Sequence, residues 1–164
     1  MPDLQPLSTA KSYWLVREPR AGAYRDLLEF LASECESFSL VYYSPMGPPQ
    51  QEYWDRLLPA LVDSRTATAW PGTQIWPRPG KRLPTLAFYR LQGLGVSILR
   101  EAPGLYSWQS PDRPSDLAVY RDGGTWWLGS VAHERRARLF VPDDLATMLK
   151  AIPGLKLRPT VPGE

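Results

Sequence analysis

The tripeptide Asp122–Gly123–Gly124 constrains the fold of this chain more than any other sequence feature. It lies between two β-prone runs, residues 116–122 and 125–132, and its glycines supply the positive φ angles that tight hairpin turns require. A connection this short joins only antiparallel neighbours, because parallel strands need a crossover of about a dozen residues or more. The sequence therefore predicts a β-hairpin here, and residues 136–141 are expected to return beside it.

Three segments show the spacing that is typical of amphipathic helices. From Ala23 to Glu36 the apolar residues recur at intervals of three and four, which predicts one buried helical face. A second helix is expected to begin at Pro48 or Pro49, and the last helix at Pro142. Pro59 should kink or split the second helix, because an interior proline removes a backbone hydrogen bond.

The remaining β-prone runs are short and separated by turn residues. They are residues 12–16, 38–43, 85–92 and 95–102, and the last two are expected to pair across Gly93–Gly95. The proline-rich stretch 66–84 is interpreted as short strand pieces within a loop. Together these elements predict an α+β fold, with a mainly antiparallel sheet of about five to six strands and about two to three helices packed on one face.

The length of the chain suits one domain. At 164 residues it falls within the common size range of single domains. We expect a flexible arm over residues 1–11, a single α+β domain over 12–157 and a tail over 158–164.

Basic and acidic residues are nearly equal in number, but most of the basic residues are Arg. The formal net charge is only +2, which gives no bulk electrostatic reason to expect a nucleic-acid partner. Fifteen of the 19 basic residues are Arg, which suits planar and stacked contacts at interfaces. The chain also contains no Asn, and this composition is equally typical of a GC-rich bacterial genome.

Cys35 is the only cysteine, which excludes an intramolecular disulfide and any multi-cysteine metal site. It falls on the apolar stripe of the first helix, so a buried thiol is expected. The N-terminal sequence shows no signal-peptide pattern, and no run approaches the roughly 18 apolar residues that span a bilayer. We therefore expect a cytoplasmic protein without a membrane partner, and we predict neither a metal site nor another cofactor.

The stretch TWWLGSVAHERRARLF, residues 125–140, concentrates the candidate functional residues. It contains the only histidine, His133, beside Glu134, and a histidine near an exposed turn can transfer protons near neutral pH. These two residues are weak catalytic candidates, because neighbouring residues on an extended strand point to opposite faces. The same alternation predicts that either Trp126 or Trp127 points outward, without indicating which.

An exposed tryptophan beside arginines is typical of a protein-binding hot spot. The candidate binding residues are Trp126, Trp127, Arg135, Arg136 and Arg138. In its size, α+β order and aromatic and arginine content, the chain is similar to small partner-binding proteins of bacteria, including immunity proteins of toxin systems. The expected exposed tryptophan and the lack of a catalytic set predict a non-enzymatic binding module, immunity-like or adaptor-like, whose partner is another protein; a homodimer is an open alternative.

Two other functions remain open. One is a small hydrolase or transferase that acts on an anionic substrate, with His133 as acid or base and nearby arginines holding the anion. The other is single-stranded nucleic-acid binding by an aromatic and basic platform formed by Trp70, Trp76, Arg78, Lys81 and Arg82. Against the second stands the interpretation that both rings pack the loop onto the sheet.

Overall fold

The computed structural model describes residues 5–6 and 11–164, and within them it contains four α-helices and eleven strands. The helices are α1 (Ala21–Glu34), α2 (Pro48–Leu57), α3 (Leu94–Leu99) and α4 (Asp143–Lys150). The strands are β1 (Gln5–Pro6), β2 (Lys11–Leu15), β3 (Ser37–Tyr42), β4 (Leu61–Thr66), β5 (Ala69–Trp70), β6 (Thr73–Gln74), β7 (Thr85–Arg90), β8 (Ser115–Asp122), β9 (Thr125–Val131), β10 (Arg136–Val141) and β11 (Leu157–Pro159).

Eight strands form one antiparallel sheet in the order β11-β2-β10-β9-β8-β3-β7-β4, and β1 pairs in parallel with β9. The short strands β5 and β6 pair separately with each other. The predicted hairpins β8–β9 and β9–β10 are both present. The predicted α+β class with a mainly antiparallel sheet is confirmed, although there are more strands and one more helix than expected.

The four helices contribute to a single hydrophobic core with one face of the sheet. Buried residues from each of them belong to the same cluster, for example Leu28, Leu57, Leu99 and Leu149. Cys35, directly after α1, is buried in this core as expected. The second helix ends before Pro59, which lies in a 3-10 turn over Leu58–Ala60, so the predicted split is confirmed.

The prediction of a strand over residues 95–102 is wrong, because this segment forms the short helix α3. Ile98 and Leu99 are adjacent and both buried, which a helix face allows and an alternating strand with one buried face does not. Gly95 permits the close approach, since a Cβ there would clash with the backbone oxygen of Arg90. Local β propensity was overridden by tertiary packing.

The face of the sheet opposite the helices is covered only in part. The loop between β4 and β7 places Trp70 against Val41 and Leu86 in a small second cluster. A third cluster, on Ala118, Tyr120 and Trp126, lies further along the sheet. Between and beside these clusters the sheet leaves grooves, and one of them is the candidate site described below.

Most of the predicted arm, residues 1–4 and 7–10, lies outside the described residues. The predicted tail is ordered on the sheet in part: Leu157–Pro159 pairs with β2, and the Thr160 N–H donates to the Ser12 carbonyl at 3.0 Å. The backbone of β2 therefore supports the segment that carries Arg158 and Glu164.

Candidate binding groove

The turn between β9 and β10 decides where the three candidate arginines lie. Residues Ala132–Glu134 form a single 3-10 turn, and Arg135 then adopts a left-handed conformation with φ of 53°. Its N–H donates to the Ala132 carbonyl at 3.0 Å. Arg135 is consequently placed on a different surface from Arg136 and Arg138, so the structure does not bring all three arginines together.

Arg135 lies over the ring of Tyr106, with 5.5 Å between the guanidinium carbon and the ring centroid. It also lies 3.4 Å from Glu18, whose side chain is only 4% exposed and which has Arg20 as a second ion-pair partner. Burial raises the pKa of the Tyr106 hydroxyl to about 12, with the Glu18 charge as a lesser cause. These contacts hold the turn against the segment before α1.

Arg136 and Arg138 instead flank Trp14 on the sheet face away from the helices. Each guanidinium carbon lies 4.7 Å from the centroid of the Trp14 ring. The register of β10 against β2 produces this arrangement, because Arg138 is paired directly with Trp14. Such cation–π contacts stabilise both partners, by about 0.5–1 kcal/mol each at exposed sites.

Trp14 is therefore a functional candidate that the sequence reasoning missed. It lies in residues 12–16, for which the sequence predicts only a short strand. In the sequence it is 124 residues from Arg138. Nothing local indicates the contact, because strand pairing between β2 and β10 creates it. The expected partner of the arginines, an outward Trp126 or Trp127, is replaced by this residue.

The expectation that one of the two adjacent tryptophans is exposed is wrong. Trp126 is 7% exposed and Trp127 is 2% exposed. A bulge separates them: Tyr120 pairs with Trp126 and Val119 with Leu128, which leaves Trp127 as an extra residue. Trp127 joins the main core and Trp126 packs on the opposite face, so the two rings do point to opposite sides.

Gly129 provides the space that Trp126 occupies. A Cβ built at Gly129 would lie 2.9 Å from Cζ3 of Trp126 and 2.9 Å from the Pro71 side chain. The indole also makes an edge-to-face contact with Phe140, with ring centroids 4.8 Å apart. Glycine at this position therefore lets a tryptophan ring lie directly on the sheet.

Trp14, Trp126 and Gly129 line a groove of about 300 Å³ on the sheet face away from the helices. Its lining combines aromatic and small residues with four charged ones: Trp14, Trp126, Gly72, Gly129, Val131, Ala137, Glu134, Arg136, Arg138 and Glu164. Glu134 lies 3.6 Å from Arg136, so one guanidinium is partly neutralised. The Nε atom of Arg138 is buried and has no hydrogen-bond partner in the part of the chain that the structure describes.

A carboxylate of the chain itself already occupies one end of this groove. Oε2 of Glu164 accepts hydrogen bonds from the Trp14 indole N–H at 3.2 Å and from the Val161 N–H at 2.8 Å. The two terminal nitrogens of Arg158 donate to its two oxygens at 3.1 and 3.3 Å. These donors, the Arg158 side chain first, lower the pKa of Glu164 to about 2.

His133 and Glu134 lie in the exposed turn, close to the buried carboxylate of Asp116. Asp116 has a left-handed backbone with φ of 59°; it accepts hydrogen bonds from the Trp70 indole at 2.9 Å and from the Ala132 N–H at 3.0 Å. Burial raises the pKa of Asp116, and the hydrogen bonds from the Ala132 N–H and the Trp70 indole oppose that rise. Asp116 thus joins the loop, the sheet and the turn.

The residues proposed for nucleic-acid stacking are separated by the structure. Trp70 is buried and bonded to Asp116, whereas Trp76 is 78% exposed. Arg78, Lys81 and Arg82 are exposed in the same loop as Trp76. The two rings therefore do not form one platform, and the interpretation that both pack onto the sheet is correct for Trp70 only.

Other chemistry is sparse among residues 5–6 and 11–164. In these residues no group of three or more His, Cys, Asp or Glu side chains could hold a metal ion. No helix of the described part is long and apolar enough to cross a membrane.

Comparisons of the chain with protein-family models, with curated proteins and with solved structures found no match.

Proposed function

We propose that this protein is a non-enzymatic binding module, of the immunity-like or adaptor-like kind, and that its groove takes an acidic segment of a partner protein. The groove offers the flat surfaces of Trp14 and Trp126 and the guanidinium groups of Arg136 and Arg138. Tryptophan and arginine contribute most to binding energy in protein interfaces. A partner segment with one apolar and one acidic side chain complements this lining.

The observation that carries the proposal is the position of Glu164. Its side-chain carboxylate lies against the Trp14 indole, and its main-chain oxygen accepts a hydrogen bond from Arg138 at 3.2 Å. The groove therefore accommodates an acidic side chain in the chain's own structure, and this supports an acidic side chain as the group that it takes from a partner. Binding of a partner carboxylate in place of Glu164 would keep the exposed donors of Trp14 and Arg138 hydrogen-bonded.

We place this interaction in the cytoplasm. Cys35 is a free and buried thiol, which is compatible with a reducing compartment, where disulfides are rare. The enzyme alternative receives no comparable support, because the His133 side chain is exposed and has no hydrogen bond within the described residues.

The test compares tagged proteins in quantitative co-purification. The wild type is compared with the double variant Arg136→Glu/Arg138→Glu and with a control of equal charge change, Arg17→Glu/Arg25→Glu, whose residues are exposed and outside the groove. The expected result is one protein enriched by the wild type and by the control and reduced at least about tenfold by the double variant, as for loss of hot-spot contacts.

Binding of the purified partner is then measured by calorimetry. Melting temperatures of all variants confirm that they are folded. Equal recovery of the partner by the wild type and the groove variant would contradict the proposal. Recovery that is lost in the groove variant and restored by acidic-to-basic changes in the partner segment would establish the charge complementarity directly.

A further inference from the structure

The loop that carries Trp76 is fixed at both ends. At its start the Ile75 N–H donates to the Thr68 carbonyl at 2.7 Å, and Ile75 packs beside the cluster of Val41, Trp70 and Leu86. At its end Pro84 is buried, and its carbonyl accepts from the Ala67 N–H at 3.1 Å. Both ends of the segment between these anchors are therefore fixed to the rest of the protein.

A tight turn shapes the middle of the loop. The Lys81 N–H donates to the Arg78 carbonyl at 3.1 Å, with Pro79 and Gly80 at the two central positions. Gly80 has a φ of 75°, which the second central residue of a type II turn requires. The turn brings Arg78 and Lys81 together, and the prolines reduce the conformational entropy that the loop would lose on binding a ligand.

Trp76 is 78% exposed on this loop, the highest exposure of any large apolar side chain in the described residues. Its indole lines a shallow hollow of about 440 Å³. Arg78, Lys81 and Arg82 line the same hollow, which shares no residue with the Trp14 groove. A flat aromatic wall thus stands beside three cations.

No acidic residue of the described structure lines the hollow beside its cations. None of the three forms an ion pair among the described residues. The sequence from residue 64 to residue 100 contains no Asp or Glu at all. The overall charge of +2 therefore conceals a local positive surface, and local charge is what an anionic ligand meets.

We propose that this loop is a binding site for single-stranded nucleic acid. One unpaired base stacks on the Trp76 indole, and the phosphates on either side contact Arg78, Lys81 and Arg82. The acidic side chains of a peptide would satisfy the cations but provide no ring for the indole, whereas every nucleotide carries both a planar base and a phosphate. A membrane-inserting tryptophan needs further exposed apolar side chains beside it, whereas the other large hydrophobic residues of this hollow, Ile75 and Leu83, are half-buried.

The experiment is fluorescence anisotropy with a labelled oligothymidylate of about 15 nucleotides, within the site sizes of single-stranded binders. Trp76→Ala should weaken binding by roughly tenfold, and Trp76→Phe, which keeps an aromatic face, should weaken it less. The triple variant Arg78→Gln/Lys81→Gln/Arg82→Gln should reduce the slope of log K against log salt by about two, since each cation contributes about 0.7 for single strands.

The matched control is Arg17→Gln/Arg25→Gln/Arg100→Gln, which removes the same charge from exposed positions outside the hollow. This control and Arg136→Glu/Arg138→Glu should leave oligothymidylate binding unchanged, so failure of this proposal is separate from failure of the groove proposal. Absence of binding at low salt would overturn it. So would equal binding by Trp76→Ala, or Trp76-dependent binding to anionic phospholipid vesicles or polyglutamate but not to the oligonucleotide.

Discussion

The carboxylate of Asp116 accepts a hydrogen bond from the indole N–H of Trp70 at 2.9 Å, and neither side chain is exposed. The contact joins the first residues of β8 to the loop that continues to Trp76. With the Ala132 N–H on its other oxygen, Asp116 also fixes the turn between β9 and β10. One buried carboxylate therefore positions both the loop that leads to Trp76 and the turn that leads to Arg136.

Replacement of Trp70 by Phe should lower the free energy of unfolding by about 1–3 kcal/mol, because it removes one donor from a buried charged acceptor. Burial already raises the pKa of Asp116 above its usual 3.8, and loss of the indole should raise it further. The cost exists while Asp116 is ionised, so it should be largest at neutral pH and shrink as the pH falls through that raised pKa.

Urea denaturation at neutral pH and near the usual carboxyl pKa measures this effect. Trp76→Phe is the control, since the Trp76 ring is exposed and makes no such bond in the described structure. A cost for Trp70→Phe that does not change with pH would argue against the role of the carboxylate.

Gly129→Ala should destabilise the protein by about 1–3 kcal/mol, as overpacking of a filled site does. The added methyl would meet the Trp126 ring and Pro71, each at 2.9 Å. Thermal denaturation measures the change. Gly22→Ala, in the first turn of α1 with nothing within 4 Å of the new Cβ, should be neutral or slightly stabilising. Equal melting temperatures for Gly129→Ala and the wild type would show that Trp126 is free to move away.

The contact between Glu164 and Trp14 should depend on pH in acid. The pKa of Glu164 is lowered from its ordinary 4.5 to about 2, so the contact is fully present above pH 4.5 and is lost as the pH falls through 2. The indole N–H resonance of Trp14 in NMR spectra should follow this titration. Glu164→Gln should abolish it and Glu29→Gln, an exposed residue of α1, should not; a midpoint near 4.5 in the wild type would contradict the contact.

Cys35 should be inert to thiol reagents in the folded protein. Burial raises the pKa of its thiol from 9 to about 12, so at neutral pH the thiolate is roughly a thousandfold scarcer than for a thiol with the ordinary pKa. Alkylation by iodoacetamide, followed by mass spectrometry, should occur only under conditions that unfold the chain. Rapid stoichiometric labelling at neutral pH without denaturant would show that the thiol is accessible.

Local patterns predicted those elements whose stability depends on local rules. The Asp-Gly-Gly turn predicted the β8–β9 hairpin because only antiparallel neighbours allow so short a connection. The spacing of Leu27, Leu28 and Leu31 predicted the buried face of α1, and Pro59 predicted the end of α2. Residues 95–102 were misread because α3 is a helix of six residues, too short for a clear helical period.

The candidate sites depended on contacts that no local pattern contains. Arg136 and Arg138 were identified as interface residues, but their aromatic partner Trp14 became visible only through the pairing of β2 with β10. Alternation correctly separated Trp126 from Trp127, yet it could not foresee that a bulge and Gly129 bury both rings. Trp70 and Trp76 lie in one irregular loop, and only the tertiary structure distinguishes the buried ring from the exposed one.

The sequence by itself therefore determined the fold class, the hairpins and the ends of the longer helices, because turn chemistry and hydrophobic periodicity act between residues close in the chain. Tertiary structure decided which side chains are exposed and which meet, because strand order brings together residues more than a hundred positions apart. Burial of Trp126 and exposure of Trp76 follow from the surfaces that surround them, and those surfaces exist only in the folded protein.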